Sequence, residues 1–228
     1  MRKVGRIFGF WAAIMMLLAT ASCSMDDYET GDGDYSYLCA EFADARSGEG
    51  GMMKYAVTDG GDSLVFQPVF ACKWMSKPDT TYRALVYYSR KEAALPVVEC
   101  IAAHQVLVMR VLPDTARKIN NVTDPVVFES AWVGDDSRYL NLGLFVKIGK
   151  DDDQNRKQLL GIACDSIKER PDGSKMHFLR LLHDQNGVPE NYSTRLYASI
   201  PLEDVAKGDE VQLRANTYNG EVIRTFVK

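Results

Sequence analysis

Residues 126–148, VVFESAWVGDDSRYLNLGLFVKI, decide how this chain folds. Val126–Val133 and Tyr139–Ile148 are runs of β-branched, aromatic and aliphatic residues, and Gly134-Asp135-Asp136-Ser137 between them is turn material. The reading is strand, turn, strand. Toward the C-terminus the pattern repeats: Leu159–Ile167, Met176–Leu182, Leu196–Ile200, Val211–Ala215 and Val222–Val227 read as strands. Asp151-Asp152-Asp153, Pro171-Asp172-Gly173 and Asn186-Gly187 separate them. Seven strands at this spacing predict an antiparallel β-sandwich over residues 124–228. Only Pro201–Lys207, closed by Gly208, reads as a short helical turn.

On the N-terminal side, residues 113–125 (PDTARKINNVTDP) are polar and bracketed by proline, which marks a linker. Before them, Tyr55 and Val57, then Asp59-Gly60-Gly61-Asp62, then Leu64–Phe70 spell strand, turn, strand. Thr81–Ser89 (TYRALVYYS) is a strand with Tyr82, Ala84, Val86 and Tyr88 on one face. Val97–Leu112 holds two more, joined near Ala102-Ala103-His104. Five short strands within residues 36–118 suggest a small closed or half-closed barrel. No segment sustains a helical period, so the chain is all-β.

The first 35 residues give an address. Arg2, Lys3 and Arg6 precede the uncharged apolar run Ile7–Leu18, and small residues lead to Cys23. A membrane-spanning helix needs about 20 apolar residues; this run is shorter, and Asp26, Asp27 and Glu29 follow soon after. The pattern predicts a signal peptide over residues 1–22. Ala19-Thr20-Ala21-Ser22-Cys23 resembles a bacterial lipobox, which implies cleavage after Ser22 and acylation of Cys23. Two or more acyl chains make such anchoring stable. Residues 23–35 then form a lipidated acidic tether, too poor in aliphatics to offset ordering entropy. Its acidic start resembles the surface-export signal of Bacteroidetes lipoproteins. The expected location is the outer membrane, facing the cell surface or otherwise the periplasm.

Composition limits function. The chain has 228 residues, 46% hydrophobic and 25% charged, which excludes wholesale disorder, collagen-like repeats and a multi-span membrane protein. The net charge is −4, and loss of Arg2, Lys3 and Arg6 with the leader makes it −7. No basic stripe compensates, so nucleic acid is not an expected partner.

Few residues carry recognisable chemistry. Gly61-Asp62-Ser63-Leu64 spells the nucleophile block of a hydrolase family, but Ser63 falls in a turn before a strand. None of the three histidines, His104, His177 and His183, has Asp three residues before it to complete a triad. A serine without a base is a weak nucleophile, so a hydrolase is the least favoured reading. Asp151, Asp153 and Asn155 begin like a calcium loop, but Arg156 stands where glycine is required and Ile162 where glutamate is. His177 and His183, on one strand, lie about 20 Å apart at strand rise. No metal and no cofactor is expected. Cys39, Cys72, Cys100 and Cys164 fall in apolar strands without a Cys-x-x-Cys spacing. They read as small buried hydrophobes, with one Cys72–Cys100 bridge as the alternative. In Tyr82-Arg83 and Tyr87–Lys91 alternate tyrosines read as core and the arginine as an edge cap; stacking of a glycan on them is the other possibility. Asp114-Thr115-Ala116 resembles an O-glycosylation acceptor of exported Bacteroidetes proteins, with Thr115 as its site.

The arrangement as a whole resembles the NigD-like lipoproteins of Bacteroidetes. Beyond the lipobox, MKYAVTDGGDSLVFQPVF (53–70), TYRALVYYS (81–89), residues 124–149, LRLLHDQNG (179–187) and LYASIPLEDV (196–205) carry the resemblance. It implies an OB-like barrel domain over residues 36–118 followed by the sandwich, and a bacteriocin-immunity role without defined catalytic residues. A non-enzymatic, lipid-anchored surface protein that binds a protein or toxin-like partner is therefore expected; the alternative is a glycan-binding accessory lipoprotein. Trp132, Arg138 and Tyr139 flank the Gly134–Ser137 turn and are the residue types that dominate protein-binding hot spots. They are the expected partner-binding residues, with Arg138 the cleanest probe.

Overall fold

The computed structural model describes residues 38–89, 96–111, 121–150 and 156–228. The signal peptide, Cys23, the tether, Thr115, most of the 113–125 linker and the Asp151–Asn155 loop lie outside the described residues.

Five strands make a closed barrel: β1 (Leu38–Ser47), β2 (Met52–Thr58), β3 (Ser63–Ala71), β4 (Thr81–Ser89) and β5 (Val97–Gln105). Their order around the barrel is β1-β2-β3-β5-β4, with β1 paired back onto β4. The β3–β5 pair is parallel and the others antiparallel. This is the OB arrangement, in which closure leaves no free sheet edge. Alternate residues fill the interior, among them Met53, Leu64, Phe66, Val86, Tyr88 and Val98. Cys72 and Cys100 pack there as thiols, and burial, reinforced by Cys72, pushes the Cys100 thiol up to about 12.

β5 runs unbroken through Ala102-Ala103-His104, where a join was expected. The break comes at Val106, whose side chain is buried and whose N–H donates to the Arg83 carbonyl. The chain then leaves the barrel. β6 (Leu107–Val108) already pairs with β11 of the sandwich.

The sandwich contains β6, β7 (Val127–Val133), β8 (Tyr139–Ile148), β9 (Leu159–Glu169), β10 (Lys175–Asp184), β11 (Tyr192–Pro201), β12 (Glu210–Thr217) and β13 (Gly220–Val227). One sheet has the order β13-β12-β10-β9 and the other β6-β11-β8-β7. Two pairings, β10–β12 and β6–β11, are parallel among the antiparallel ones. Leu140, Leu142, Leu144, Leu179, Leu181, Ile200 and Leu213 form the shared core. The expected helical segment over 201–207 is absent: Pro201 ends β11, and residues 202–207 follow as turns. The Leu202 carbonyl accepts from the Val205 N–H, and the Lys228 ammonium donates to the carbonyls of Leu202 and Val205, which ties the turn down without a helix. Among the described residues no helix is long and apolar enough to cross a membrane.

Two strands depart from one-sided burial. In β4 every residue from Arg83 to Val86 is buried, and in β8 every residue from Leu140 to Leu144. The reason is a third layer: the outer face of the β6-β11-β8-β7 sheet lies against the outer face of the barrel at β1 and β4. Tyr37–Lys228 accordingly forms one compact unit.

Candidate functional site at the junction of barrel and sandwich

Antiparallel register places Trp132 opposite Asn141, and Asn141 opposite Ser199, so one row crosses β7, β8 and β11. On the barrel, Asp44 of β1 lies opposite Arg83 of β4. Arg83 reaches across from one to the other, and its side chain is 1% exposed. Its Nη2 donates to Asp59 Oδ2 at 2.6 Å and Asn141 Oδ1 at 3.2 Å, its Nε to Ser199 Oγ at 3.2 Å, and its Nη1 to Asp44 Oδ1 at 3.4 Å. Asn141 Nδ2 donates to Asp59 Oδ2 at 2.9 Å, and Ser199 Oγ donates to Asn141 Oδ1 at 2.7 Å. The guanidinium also stacks 4.0 Å from the Tyr139 ring centroid. A planar fork with five donors suits this arrangement, and lysine would not satisfy it. Arg83, expected to cap an edge, is instead the hub that joins the two domains. Buried side chains packed on both faces of β4 leave it no route to solvent.

The same junction gathers all three expected partner-binding residues. Trp132 packs edge-on against Phe42, centroids 5.3 Å apart, and Phe42 does the same with Tyr197 at 5.5 Å. Such pairs add stability beyond their buried area. Arg138 forms ion pairs with Asp44 and Asp136. Tyr139 Oη donates to Asp44 Oδ2 at 3.5 Å, and burial together with the Asp44 charge pushes its hydroxyl up. Changing Arg138 to glutamate would therefore set a third carboxylate between Asp44 and Asp136. Glutamine is the better probe.

A cleft of about 250 Å³ opens beside this network, lined by Phe42, Asp59, Trp132, Gly134 and Asp135 among others. The turn carrying Gly134 is drawn close by the Asp136 N–H, which donates to the Asp59 carbonyl at 2.9 Å. A Cβ on Gly134 would lie 2.7 Å from Asp59 Oδ2, so only glycine permits the approach. Asp59 Oδ1 is buried and has no hydrogen-bond partner among the described residues. Such an oxygen is costly unless a donor reaches it.

The remaining candidates are dispersed. Ser63 is exposed at the start of β3, opposite Val57. His104 packs its ring against Tyr87, and His183 uses both ring nitrogens, on the Asp124 carbonyl and on Gln158 Oε1, each at 3.1 Å. His177 pairs with Asp209 at 3.1 Å. Among the described residues no group of three or more His, Cys, Asp or Glu side chains could hold a metal ion. Sequence reasoning missed Asp44, Asp59, Asn141 and Ser199. The available signal was a lone polar residue, Arg83 or Asn141, inside an otherwise apolar strand.

An OB-type barrel sealed onto one sheet of a β-sandwich defines the class of protein. Residues 108–228, more than half of the chain, match the NigD-like C-terminal beta sandwich domain, and the chain belongs to the NigD-like family. Among solved structures it is similar to a NigD-like immunity protein from Bacteroides caccae, with 20% identity and a TM-score of 0.64, over 83% of this chain and 96% of that one. It is also similar to a protein of unknown function from Bacteroides vulgatus, with 18% identity and a TM-score of 0.62, over 84% of this chain and 90% of that one. A third, described as toxin related, is from Parabacteroides distasonis, with 18% identity and a TM-score of 0.59, over 84% and 93% of the two chains. At these identities the likeness is one of fold. No curated protein matches.

Proposed function

We propose that this is a non-enzymatic, lipid-anchored envelope protein of bacteriocin-immunity type that holds a protein or toxin-like partner at the cleft between barrel and sandwich. The observation that carries this reading is the cleft itself. Phe42 and Trp132 offer aromatic surface, Trp132 is 36% exposed, and Asp59 and Asp135 line the cleft beside them. Aromatic anchors around a desolvated polar group are what protein hot spots are made of. Arg138, with its side chain 44% exposed, borders the same ground. Membership of the NigD-like family and the immunity description of the Bacteroides caccae structure support the role. Acylated Cys23 supplies the anchor, in the outer membrane and facing the cell surface, and Thr115 is the proposed O-glycosylation site.

The test is genetic. A strain lacking this gene is expected to become sensitive to a proteinaceous inhibitor secreted by related strains. The wild-type gene restores resistance, whereas Cys23→Ala and Trp132→Ala do not. Unchanged sensitivity across the inhibitors overturns the immunity role. Full resistance with a folded Trp132→Ala protein moves the binding surface away from the cleft.

A further inference from the structure

The barrel has two outer faces, and only one is covered. β1 and β4 turn theirs to the sandwich, where Phe42 and Leu85 are buried with Tyr197 packed against them. On the other side, register sets Arg46 of β1 opposite Tyr55 of β2, Tyr55 opposite Val65 of β3, and Val65 opposite Val97 of β5. Opposed residues share a face of the sheet. One outward row therefore crosses four strands: a cation, an aromatic ring and two aliphatic side chains. Tyr55, Val65 and Val97 are 45%, 39% and 42% exposed, and Val69 and Ile101, further along β3 and β5, are exposed as well. A single exposed valine needs no explanation, but a contiguous row does.

The row is a strip. Alternation puts Ser63 and Glu99 on the same outer face as Val65 and Val97, two residues away along β3 and β5, and both are exposed. A strip on a convex barrel has no walls to enclose a small ligand, and it suits a broad, deformable surface. Arg46, at one end of the row, donates to Thr81 Oγ1 at 3.4 Å and makes no ion pair among the described residues. Aliphatic side chains followed by tyrosine and then a long-stemmed cation are the order found where protein meets a bilayer interface.

The chain also reaches the barrel beside this strip. Leu38, 45% exposed, lies opposite Ser89, and Ser89 opposite Glu99, two residues from Val97. Cys23 precedes Leu38 by 15 residues. Even fully extended, that length spans only about 50 Å. An acyl chain on Cys23 thus keeps a lipid surface within constant reach of this face, whereas a second copy has to be met by diffusion.

We propose that the outer face of β2, β3 and β5 lies on the bilayer, with Val65 and Val97 at the acyl boundary, Tyr55 at headgroup depth and Arg46 on lipid phosphate. The inference rests on the acylation of Cys23 proposed above. The acyl chains hold the protein, and the strip sets its orientation, with the junction face of β1 and β4 turned away from the lipid.

Hydroxyl-radical oxidation read by peptide mass spectrometry tests this on the acylated chain, bound to vesicles of phosphatidylethanolamine and phosphatidylglycerol, against the Cys23→Ser chain in solution. Tyr192 and Tyr218, exposed on the sandwich, are the internal references. Relative to them, oxidation of Tyr55 and Val65 is expected to fall about threefold or more on vesicles. Val65→Asp combined with Val97→Asp, both at exposed positions, should restore oxidation of Tyr55 while the chain stays acylated and vesicle-bound. Equal oxidation of Tyr55 on vesicles and in solution overturns the proposal, as does protection that survives in the double variant. Tyr55 protected in solution, together with a dimer by sedimentation, overturns it in favour of a second copy. Fatty-acid labelling of the same material separates the two readings. An acylated chain with Tyr55 unprotected fails this inference alone, and a chain without fatty acid fails the anchor on which it rests.

Discussion

Replacing Arg83 with methionine tests whether the buried hub holds barrel and sandwich together. Methionine preserves much of the apolar stem while removing every donor and the guanidinium that lies over Phe42. Four partners lose a bond: Asp59, Asn141, Ser199 and Asp44. Asp44 keeps Arg138, but Asp59, whose side chain is 12% exposed, keeps only the Asn141 amide and still has Oδ1 unpartnered. Removing one member of a buried ion pair costs about 3–5 kcal/mol, because the other charge stays behind uncompensated. The loss in midpoint by thermal unfolding is then roughly 6–20 °C for a body of this size. Urea unfolding followed by circular dichroism measures the free energy directly. The companion variant is Arg83→Met with Asp59→Leu, in which no charge is stranded. It should be destabilised by clearly less than the sum of the two single changes, a coupling of about 1–3 kcal/mol. A loss below about 1 kcal/mol in Arg83→Met, or strict additivity in the double variant, would refute the assignment of Arg83 as the hub.

Other consequences follow from single features. Gly134→Ala pushes a methyl group onto the Asp59 carboxylate and should cost about 1–3 kcal/mol in the same unfolding assay, as overpacking does. Asp209 and Glu210 are held below the usual carboxylate range, Asp209 by the Lys175 N–H and His177, Glu210 by Arg170, which reaches both its oxygens at 2.6 Å. A depressed folded value contributes stability that is fully present above the unfolded value, about 4, and is lost as pH falls through the folded one. Stability should thus drop below pH about 4, and less steeply in Asp209→Asn. Iodoacetamide should spare Cys72 and Cys100 in the folded protein, since both are buried with thiols pushed upward, and should label both once urea unfolds the chain without reductant. Cys23→Ala should move the protein from the detergent phase to the aqueous phase and abolish fatty-acid labelling.

Most β-strands are legible because they are written locally; β1 (Leu38–Ser47) is not among the five read from sequence, and that count was reached by dividing β5 in two. TYRALVYYS and YLNLGLFVKI are long enough runs of β-formers to be assigned without tertiary information, and GDDS or PDG between runs breaks them where the structure does. The ends are less legible. Val106 terminates β5 through a bond to Arg83 and a buried side chain, and nothing within three residues of it announces that. The turn after Pro201 is tied down by Lys228, which donates to the carbonyls of Leu202 and Val205 from far along the sequence, a contact no local pattern announces.

The junction is illegible for the same reason in stronger form. A reading of β4 by alternation puts Tyr82, Ala84, Val86 and Tyr88 inside the barrel, and the structure does the same. It then assigns Thr81, Arg83, Leu85 and Tyr87 to solvent, although Leu85 and Tyr87 make a poor solvent face. Taken with YLNLGLF, where Asn141 and Gly143 alternate with leucines, the two strands carry a shared mark: each has a second face with residues too apolar or too small for water, and a polar residue, Arg83 or Asn141, buried among them. Two such strands from separate domains satisfy each other's lone polar group, here Arg83 with Asn141 at 3.2 Å. Their counter-charges, Asp44 and Asp59, lie 39 and 24 residues from Arg83 in sequence, Asp44 entering through the β1–β4 register and Asp59 from the turn after β2. This also explains why the residues chosen for binding from sequence converge on one place. Trp132, Arg138 and Tyr139 flank the turn that crosses from sandwich to barrel, so their size and charge are partly used in sealing the junction, and the cleft beside Gly134 is where that seal is incomplete.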